Sequence, residues 1–237
     1  MTLWEHLEEL RSRIVRMALA FLVGSIGCWI YKERLLAWLI RPFQEAMAKG
    51  HHPGKATLHF GTPTALFIGY VHLAALAGLI FALPIILYQI WAFIAPGLYS
   101  REKKYAIPFV FSSVLLFAAG GAVAILTFPK ALDFLIGVSG KNIATFFTPS
   151  KYIGLYVLVV AAFGLAFEFP IVLVFLELAG VVPSRKLRNW RRPAVVVIFV
   201  IAAVITPSQD PYSLFAMAIP MCIFYEASIL IGRILKK

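Results

Sequence analysis

One acidic residue stands in the middle of an apolar stretch. Glu168 belongs to the segment Phe167-Glu168-Phe169-Pro170 and lies midway between Lys151 and Arg185. A charged side chain at the centre of a lipid bilayer costs at least about 2.5–3.5 kcal/mol. The functional interpretation is an intramembrane polar contact site, or a protonatable group that faces a cavity. The alternative is a neutral glutamate that hydrogen-bonds the backbone group freed by Pro170.

A second group of acids, which includes Glu5, lies among arginines near the N-terminus. On a helix, Glu9 would be four residues from Arg13, and Glu8 three residues from Arg11. These spacings favour ion pairs on the helix surface. Acids are unusual in a segment whose arginines would anchor it to the cytoplasmic side of a membrane. The alternative is therefore that they receive a cationic ligand.

Two further acids have simple explanations in their local sequence. Glu102 follows a segment rich in aromatic residues, so a solvated charge beside an interfacial aromatic belt explains it. Asp210 directly precedes Pro211, and capping the following helix is its plainest role.

The combinations of residues that mark many enzymes are missing from the sequence. It contains no Gly-rich phosphate loop, no His-x-x-x-His pair and no Gly-x-Ser-x-Gly elbow. Cys28 and Cys222 are isolated in apolar stretches, so we interpret them as small buried hydrophobic residues. We therefore expect a protein that is not an enzyme and needs no metal or other cofactor.

The composition of the chain is typical of a membrane protein. Of the 237 residues, 61% are hydrophobic and 14% are charged, against about 45–50% and about 25% in soluble domains. This excludes a soluble globular protein and a disordered one. The net charge of +11 reflects basic residues at membrane edges, and we do not expect nucleic-acid binding. The charged first 16 residues lack a cleavage site, so we expect no cleavable signal peptide.

Apolar runs and basic clusters together predict the topology. Basic clusters at 11–16, 101–104, 185–192 and 233–237 should all be cytoplasmic. The sequence then predicts an all-α polytopic membrane protein, a single transmembrane domain over 1–237 with both termini inside. Loops 32–63 and 129–151 are predicted outside. The six predicted spans lie near 17–31, 64–92, 105–128, 152–180, 194–206 and 212–231.

Two features of these spans predict a shape. The fifth and sixth spans are predicted to be short against about 30 Å of hydrocarbon. Either the bilayer thins there, or the turn at 206–211 lies below the outer surface. Prolines fall inside four predicted helices, and each favours a kink, which suggests a curved wall with a concave side. The alternative is the ordinary tolerance of membrane helices for proline. These prolines are Pro84, Pro108, Pro170 and Pro220.

Several blocks of sequence form a specific pattern. The motif His-Leu-x-Glu-Leu-Arg begins at His6, and Gln-x-Trp-x-Phe-x-x-Pro-x-Leu-Tyr begins at Gln89 and is followed by Glu102. Further blocks lie at 163–170 and 206–221. In these blocks the chain resembles, over essentially its whole length, the TatC family, the polytopic subunit of the twin-arginine protein translocase.

The resemblance implies a function that composition does not give. TatC-like proteins have six transmembrane helices in a glove-like arrangement, with a glutamate on the concave side. They bind twin-arginine signal peptides and work with the single-span proteins TatA and TatB. Together these proteins export folded proteins, driven by the proton-motive force, and the subunit is expected to self-associate in a larger complex of the inner membrane.

The resemblance also assigns residues. Glu9 and Glu102 would receive the twin arginines, and Phe93 would support that cytoplasmic patch. Glu168 and Thr206 would make intramembrane polar contacts with a partner, and Asp210 belongs to the outer turn. The family often has a polar residue early in the sixth span, where this sequence has Leu214.

Two other functions remain open from the residues alone. A proton-coupled small-solute transporter using Glu168 would explain an intramembrane acid, although such proteins usually have more spans and detectable repeats. An intramembrane enzyme is disfavoured by the missing catalytic motifs.

Overall fold

The fold consists of helices throughout the part of the chain that the structure describes. A computed structural model describes residues 3–49, 62–94, 106–138, 148–178 and 180–235, with no strand among them. This confirms the predicted all-α class. The helices are α1 Leu3–Ile30, α2 Lys32–Lys49, α3 Pro63–Ile94, α4 Ala106–Val138, α5 Pro149–Phe167, α6 Phe169–Leu178, α7 Ser184–Asn189, α8 Arg191–Ile205 and α9 Pro211–Leu235.

The helices that are long and apolar enough to cross a membrane correspond to the predicted spans. Among the described residues, five segments qualify: Trp4–Ile30, Thr64–Phe93, Ile107–Val138, Lys151–Leu178 and Pro211–Ile234. The remaining predicted span is α8, which has 15 residues. At ~1.5 Å per residue α8 reaches about 22 Å, less than the hydrocarbon thickness of about 30 Å. The fifth predicted span is therefore short, as expected. The sixth is not: α9 has 25 residues, because the helix continues past the charged Glu226 that ended the apolar run.

Two predicted boundaries are wrong because amphipathic helices escape a search for charge-free runs. Lys32–Lys49 was expected within an outer loop but forms α2, whose Leu36 and Leu39 are buried. The predicted third span ended at 128, yet α4 continues to Val138. In this extension Lys130 and Asp133 are exposed, while Ala131, Leu132 and Ile136 are buried. One charged face and one apolar face are what a helix at a protein surface requires.

The prolines lie partly where they were predicted. Pro84 and Pro220 lie inside α3 and α9. Pro108 lies in the first turn of α4, where its missing N–H removes no helical hydrogen bond, so the kink expected there is wrong. The sequence analysis also missed Pro129, which lies inside α4.

The packing brings the start of α1, the end of α3, the start of α4 and α6 together. Helices α1 and α3 approach closely, since a Cβ added to Gly24 would lie 2.8 Å from the Gly78 carbonyl oxygen. The main core is centred on α5, with the buried aromatic residues Tyr152, Tyr156 and Phe163. A separate cluster joins the second half of α3 to α4 and α6, with members that include Leu87, Trp91, Phe109, Phe117 and Val174.

Candidate functional site

The start of α1 and the end of α3 form a polar patch. Arg13 donates to Glu9 Oε1 from both Nε, at 3.0 Å, and Nη2, at 2.5 Å. The third guanidinium nitrogen, Nη1, donates to the side-chain oxygen Oε1 of Gln89 at 3.2 Å. The predicted ion pair between Glu9 and Arg13 is therefore present. The other carboxylate oxygen, Glu9 Oε2, is buried and has no hydrogen-bond partner among the described residues.

An aromatic contact completes this patch. The His6 and Phe93 rings are stacked, with centroids 4.5 Å apart and planes at 19°. We call the group of His6, Glu9, Arg13, Gln89 and Phe93 the α1–α3 patch. It brings together two of the three residues expected to bind a signal peptide. The third, Glu102, lies outside the described residues.

The intramembrane acid sits at a break between two helices. α5 ends at Phe167 and α6 begins at Phe169, with Glu168 in the turn between them. The break has a local cause, because Pro170 has no N–H to continue the hydrogen-bond ladder. The Glu168 carboxyl lies near the Ser113 side chain of α4.

Ser113 also contacts the end of α3. The Trp91 indole donates from Nε1 to the Ser113 hydroxyl oxygen at 3.2 Å. Ser113 is fully buried, and Glu168 Oε1 is buried without a hydrogen-bond partner in the described ranges. Beside these residues, a groove of about 620 Å³ runs between α4 and α6. Its lining residues include Ser112, Leu115, Pro170, Ile171 and Val174.

The outer turn before α9 is held by internal hydrogen bonds. Asp210 Oδ1 accepts from the Ser213 backbone N–H at 2.7 Å, and the Ser208 hydroxyl donates to Oδ2. Asp210 is thus the N-cap of α9. Thr206 is 1% exposed and donates to the Ala202 carbonyl oxygen at 2.6 Å. Its hydroxyl is used inside the chain and does not face outward to a partner.

The sequence analysis missed a second acid inside a span. Glu177 of α6 is fully buried, and its Oε2 accepts a hydrogen bond from the Ser184 hydroxyl at 3.0 Å. Glu177 lies inside the predicted span 152–180, so an acid within an apolar span was the signal in the sequence that could have identified it. Within the described ranges, no group of histidine, cysteine, aspartate and glutamate side chains could hold a metal ion.

Comparison with known proteins decides the family. The family profile described as Sec-independent protein translocase protein (TatC) matches residues 5–220. The chain belongs to the TatC family. It is 41% identical to the TatC of Koribacter versatilis, covering 97% of this chain and 84% of that protein. It is 37% identical to the TatC of Aquifex aeolicus, covering 99% and 95% respectively.

The match to the TatC of Frankia casuarinae is 37% identical and covers 98% of this chain, which spans 65% of that relative's length. Two solved structures match as well. One is a crystal structure of the twin arginine translocase receptor TatC, with a TM-score of 0.77 and 36% identity, covering 98% of this chain and all of that one. The second, of the same receptor in the detergent DDM, gives a TM-score of 0.75 at 36% identity, covering 96% and 99%.

The membership confirms the main predictions. The chain is a multi-pass inner-membrane subunit of the Sec-independent, twin-arginine protein translocase, and TatC proteins are translocase components, not enzymes. The alternatives of a small-solute transporter and an intramembrane enzyme are set aside by this finding.

Proposed function

We propose that this TatC protein receives twin-arginine signal peptides at the cytoplasmic face of the translocase. The observation that carries the proposal is the way Glu9 holds a guanidinium. One of its oxygens accepts two hydrogen bonds from Arg13, and the other has no partner among the described residues. Because carboxylates form charge-assisted, often bidentate pairs with guanidinium groups, Glu9 has the chemistry to bind an arginine of a signal peptide.

Phe93 and Glu102 extend this patch in the proposal. Phe93, stacked on His6, offers an apolar surface beside the carboxylate. Glu102 follows Phe93 by nine residues in the loop predicted to be cytoplasmic. Two carboxylates on one side of the membrane match the two arginines of the peptide.

The intramembrane residues act after signal-peptide binding, in partner association and export. Glu168 contacts a helix of TatA or TatB, and export of the folded protein is driven by the proton-motive force. Asp210 and Thr206 fix the shape of the outer turn beside this region. The subunit self-associates in the assembled translocase.

Photocrosslinking tests the proposal. A photoreactive amino acid is placed at position 93 or 102 of the full chain in membranes, and a precursor with a twin-arginine signal peptide is added. We expect crosslinks to the signal peptide, and their loss when the two arginines are replaced by lysines. Position 126 is the control, because Leu126 is 76% exposed on α4, far along the chain from the patch. Equal crosslinking from all three positions, or equal crosslinking of the two-lysine precursor, would contradict the proposal.

A further inference from the structure

We propose that the segment around α7 binds the headgroups of acidic phospholipids at the cytoplasmic surface of the membrane. Five basic residues lie between positions 185 and 192, and no aspartate or glutamate occurs from 178 to 209. The α7 basic surface is defined by exposed side chains of this segment: Arg185, Lys186, Arg188, Trp190 and Arg192. It shares no residue with the α1–α3 patch, so the proposal goes beyond signal-peptide binding.

The inner face of α7 fixes the helix against the rest of the protein. Leu187 is buried, and its carbonyl oxygen accepts a hydrogen bond from the Tyr225 hydroxyl of α9 at 2.8 Å. Ser184, at the start of α7, donates to the buried carboxylate of Glu177 at 3.0 Å. The basic residues of α7 are exposed on the other side of this short helix. They are therefore presented outward by a backbone that is held in one position.

The positive charges of the α7 basic surface are not neutralised by the protein. Within the part of the chain that the structure describes, four basic residues of the segment form no ion pair: Arg185, Lys186, Arg188 and Arg192. The fifth, Arg191, pairs with Glu226 at 2.7 Å, so this acid is already occupied. Like charges at this spacing repel one another, and an anionic ligand lying against them relieves the repulsion.

The position of the segment favours a lipid over a soluble anion or an acidic protein. α7 lies between two membrane helices, since α6 ends at Leu178 and α8 begins at Arg191. The three valines at 195–197 are at least 45% exposed, as residues that face lipid chains would be. Trp190 lies between them and the cations, is 55% exposed, and has Lys186 Nζ 6.0 Å from its ring centroid. Tryptophan is enriched at the headgroup level, and basic clusters beside a span attract acidic lipids.

Lipid binding at this surface has a consequence for the short fifth span. Headgroup contacts at Arg188 and Arg192 would hold the start of α8 at the cytoplasmic surface. Because α8 rises only about 22 Å, the turn at 206–211 then lies below the outer edge of about 30 Å of hydrocarbon. The α7 basic surface thereby sets the depth of the outer turn.

The experiment measures how strongly the full-length protein selects acidic over neutral lipid. The purified protein is reconstituted in phosphatidylcholine vesicles that contain either brominated phosphatidylglycerol or brominated phosphatidylcholine. Bromine quenches tryptophan fluorescence, so the ratio of quenching by the two lipids gives the selectivity. Each protein is measured with and without Trp190→Phe, and the difference reports the lipid beside Trp190.

Two double variants remove the same number of charges from different places. Arg185→Gln/Arg188→Gln removes two charges from the α7 basic surface, and Arg185→Lys/Arg188→Lys keeps them. The matched control is Arg34→Gln/Lys130→Gln, because Arg34 and Lys130 are exposed on α2 and α4, away from α7. If the first variant fails to insert, Arg192→Gln carries the test, since Arg192 is exposed on α8 and lies outside α7.

We expect the unmodified chain, the lysine variant and the control to select phosphatidylglycerol beside Trp190. The glutamine variant should lose about 5-fold in selectivity for each charge removed, which corresponds to about 1 kcal/mol. Raising the salt concentration should lower the selectivity of the unmodified chain, because salt screens exposed charges. Inorganic phosphate, added at the concentration of the lipid headgroups, should not compete, because it lacks the acyl chains that hold a lipid at the membrane edge.

Three results would overturn the proposal. One is equal quenching of the unmodified chain by the two brominated lipids. Another is an equal loss of selectivity in the control, since net charge and not this surface would then select the lipid. The third is tighter binding of a polyglutamate peptide than of phosphatidylglycerol in detergent, which would assign the surface to an acidic protein. No measurement here requires a signal peptide, so failure of the proposed function would leave these results unchanged.

Discussion

The Ser184 hydroxyl donates a hydrogen bond to Glu177 Oε2 across 3.0 Å, and thus joins the end of α6 to the start of α7. The same oxygen lies against Gly232 of α9, where a Cβ added to the glycine would overlap it. Nearby, the Tyr225 hydroxyl of α9 donates to the Leu187 carbonyl oxygen at 2.8 Å, and Arg191 pairs with Glu226 at 2.7 Å. These contacts hold α7 and the start of α8 against α9.

Gly232→Ala is expected to destabilise the protein because the added methyl group would displace the buried Glu177 carboxylate. Overpacking of this kind costs about 1–3 kcal/mol. The measurement is thermal unfolding of the purified protein in detergent. The matched control is Gly27→Ala in α1, where an added Cβ meets no atom within 4 Å. That change should be neutral or slightly stabilising. Equal unfolding temperatures for the two variants would contradict the prediction.

Contacts within one stretch of sequence could be predicted. The pairing of Glu9 with Arg13 follows from a spacing of four residues on a helix. The break at Glu168 follows from Pro170, and the cap at Asp210 follows from its place before Pro211. Each depends on the backbone of a single element, so periodicity and local chemistry are sufficient.

Contacts between elements could not be predicted. The hydrogen bond from Trp91 to Ser113 requires the rotation and depth of two helices, which hydropathy does not determine. Glu177 was missed for the same reason, since its hydrogen bond with Ser184 depends on how α7 folds back after the turn. The amphipathic helix α2 was missed because its charged residues interrupt an apolar run.

Asp210→Ala is expected to lower the stability of the protein by about 1 kcal/mol, the usual cost of removing a helix N-cap. Asp210→Asn should lose less, because an amide oxygen still accepts a hydrogen bond from Ser213 N–H. Thermal unfolding in detergent measures both. Asp133→Ala is the control, since Asp133 is exposed on α4. An Asp210→Ala variant as stable as Asp133→Ala would argue against the cap.

The predicted topology places both termini inside the cell. In a chain without Cys28 and Cys222, single cysteines at positions 34 and 133 should react with a membrane-impermeant maleimide added from outside. A cysteine at position 188 should react only after the membrane is permeabilised. All three native residues are exposed, so burial does not prevent labelling. Outside labelling at position 188 would overturn the topology, because five basic residues between 185 and 192 would then be external.

Charge reversal at Glu9 or Glu102 should abolish binding of twin-arginine peptides while the protein remains inserted. A charged hydrogen bond contributes about 1.5–3 kcal/mol, so losing one raises the dissociation constant by about 10- to 100-fold. The added positive charge raises it further. Glu102→Asp should be milder than Glu102→Lys. Peptide binding to the purified protein is measured, with Glu33→Lys on α2 as the control. Unchanged binding by both reversed variants would refute an electrostatic site.

Glu168 is expected to act through polarity within the membrane. Its Oε1 is buried and has no hydrogen-bond partner among the described residues. A hydrogen bond between helices in a membrane contributes about 0.6–2 kcal/mol. Glu168→Gln, which still forms such bonds, should therefore keep much of the export activity. Glu168→Ala should reduce export and TatA or TatB association, with signal-peptide binding unchanged. A Glu168→Gln variant as inactive as Glu168→Ala would indicate that a protonatable group is required, since glutamine keeps the size and the hydrogen bonding of the side chain but cannot gain or lose a proton.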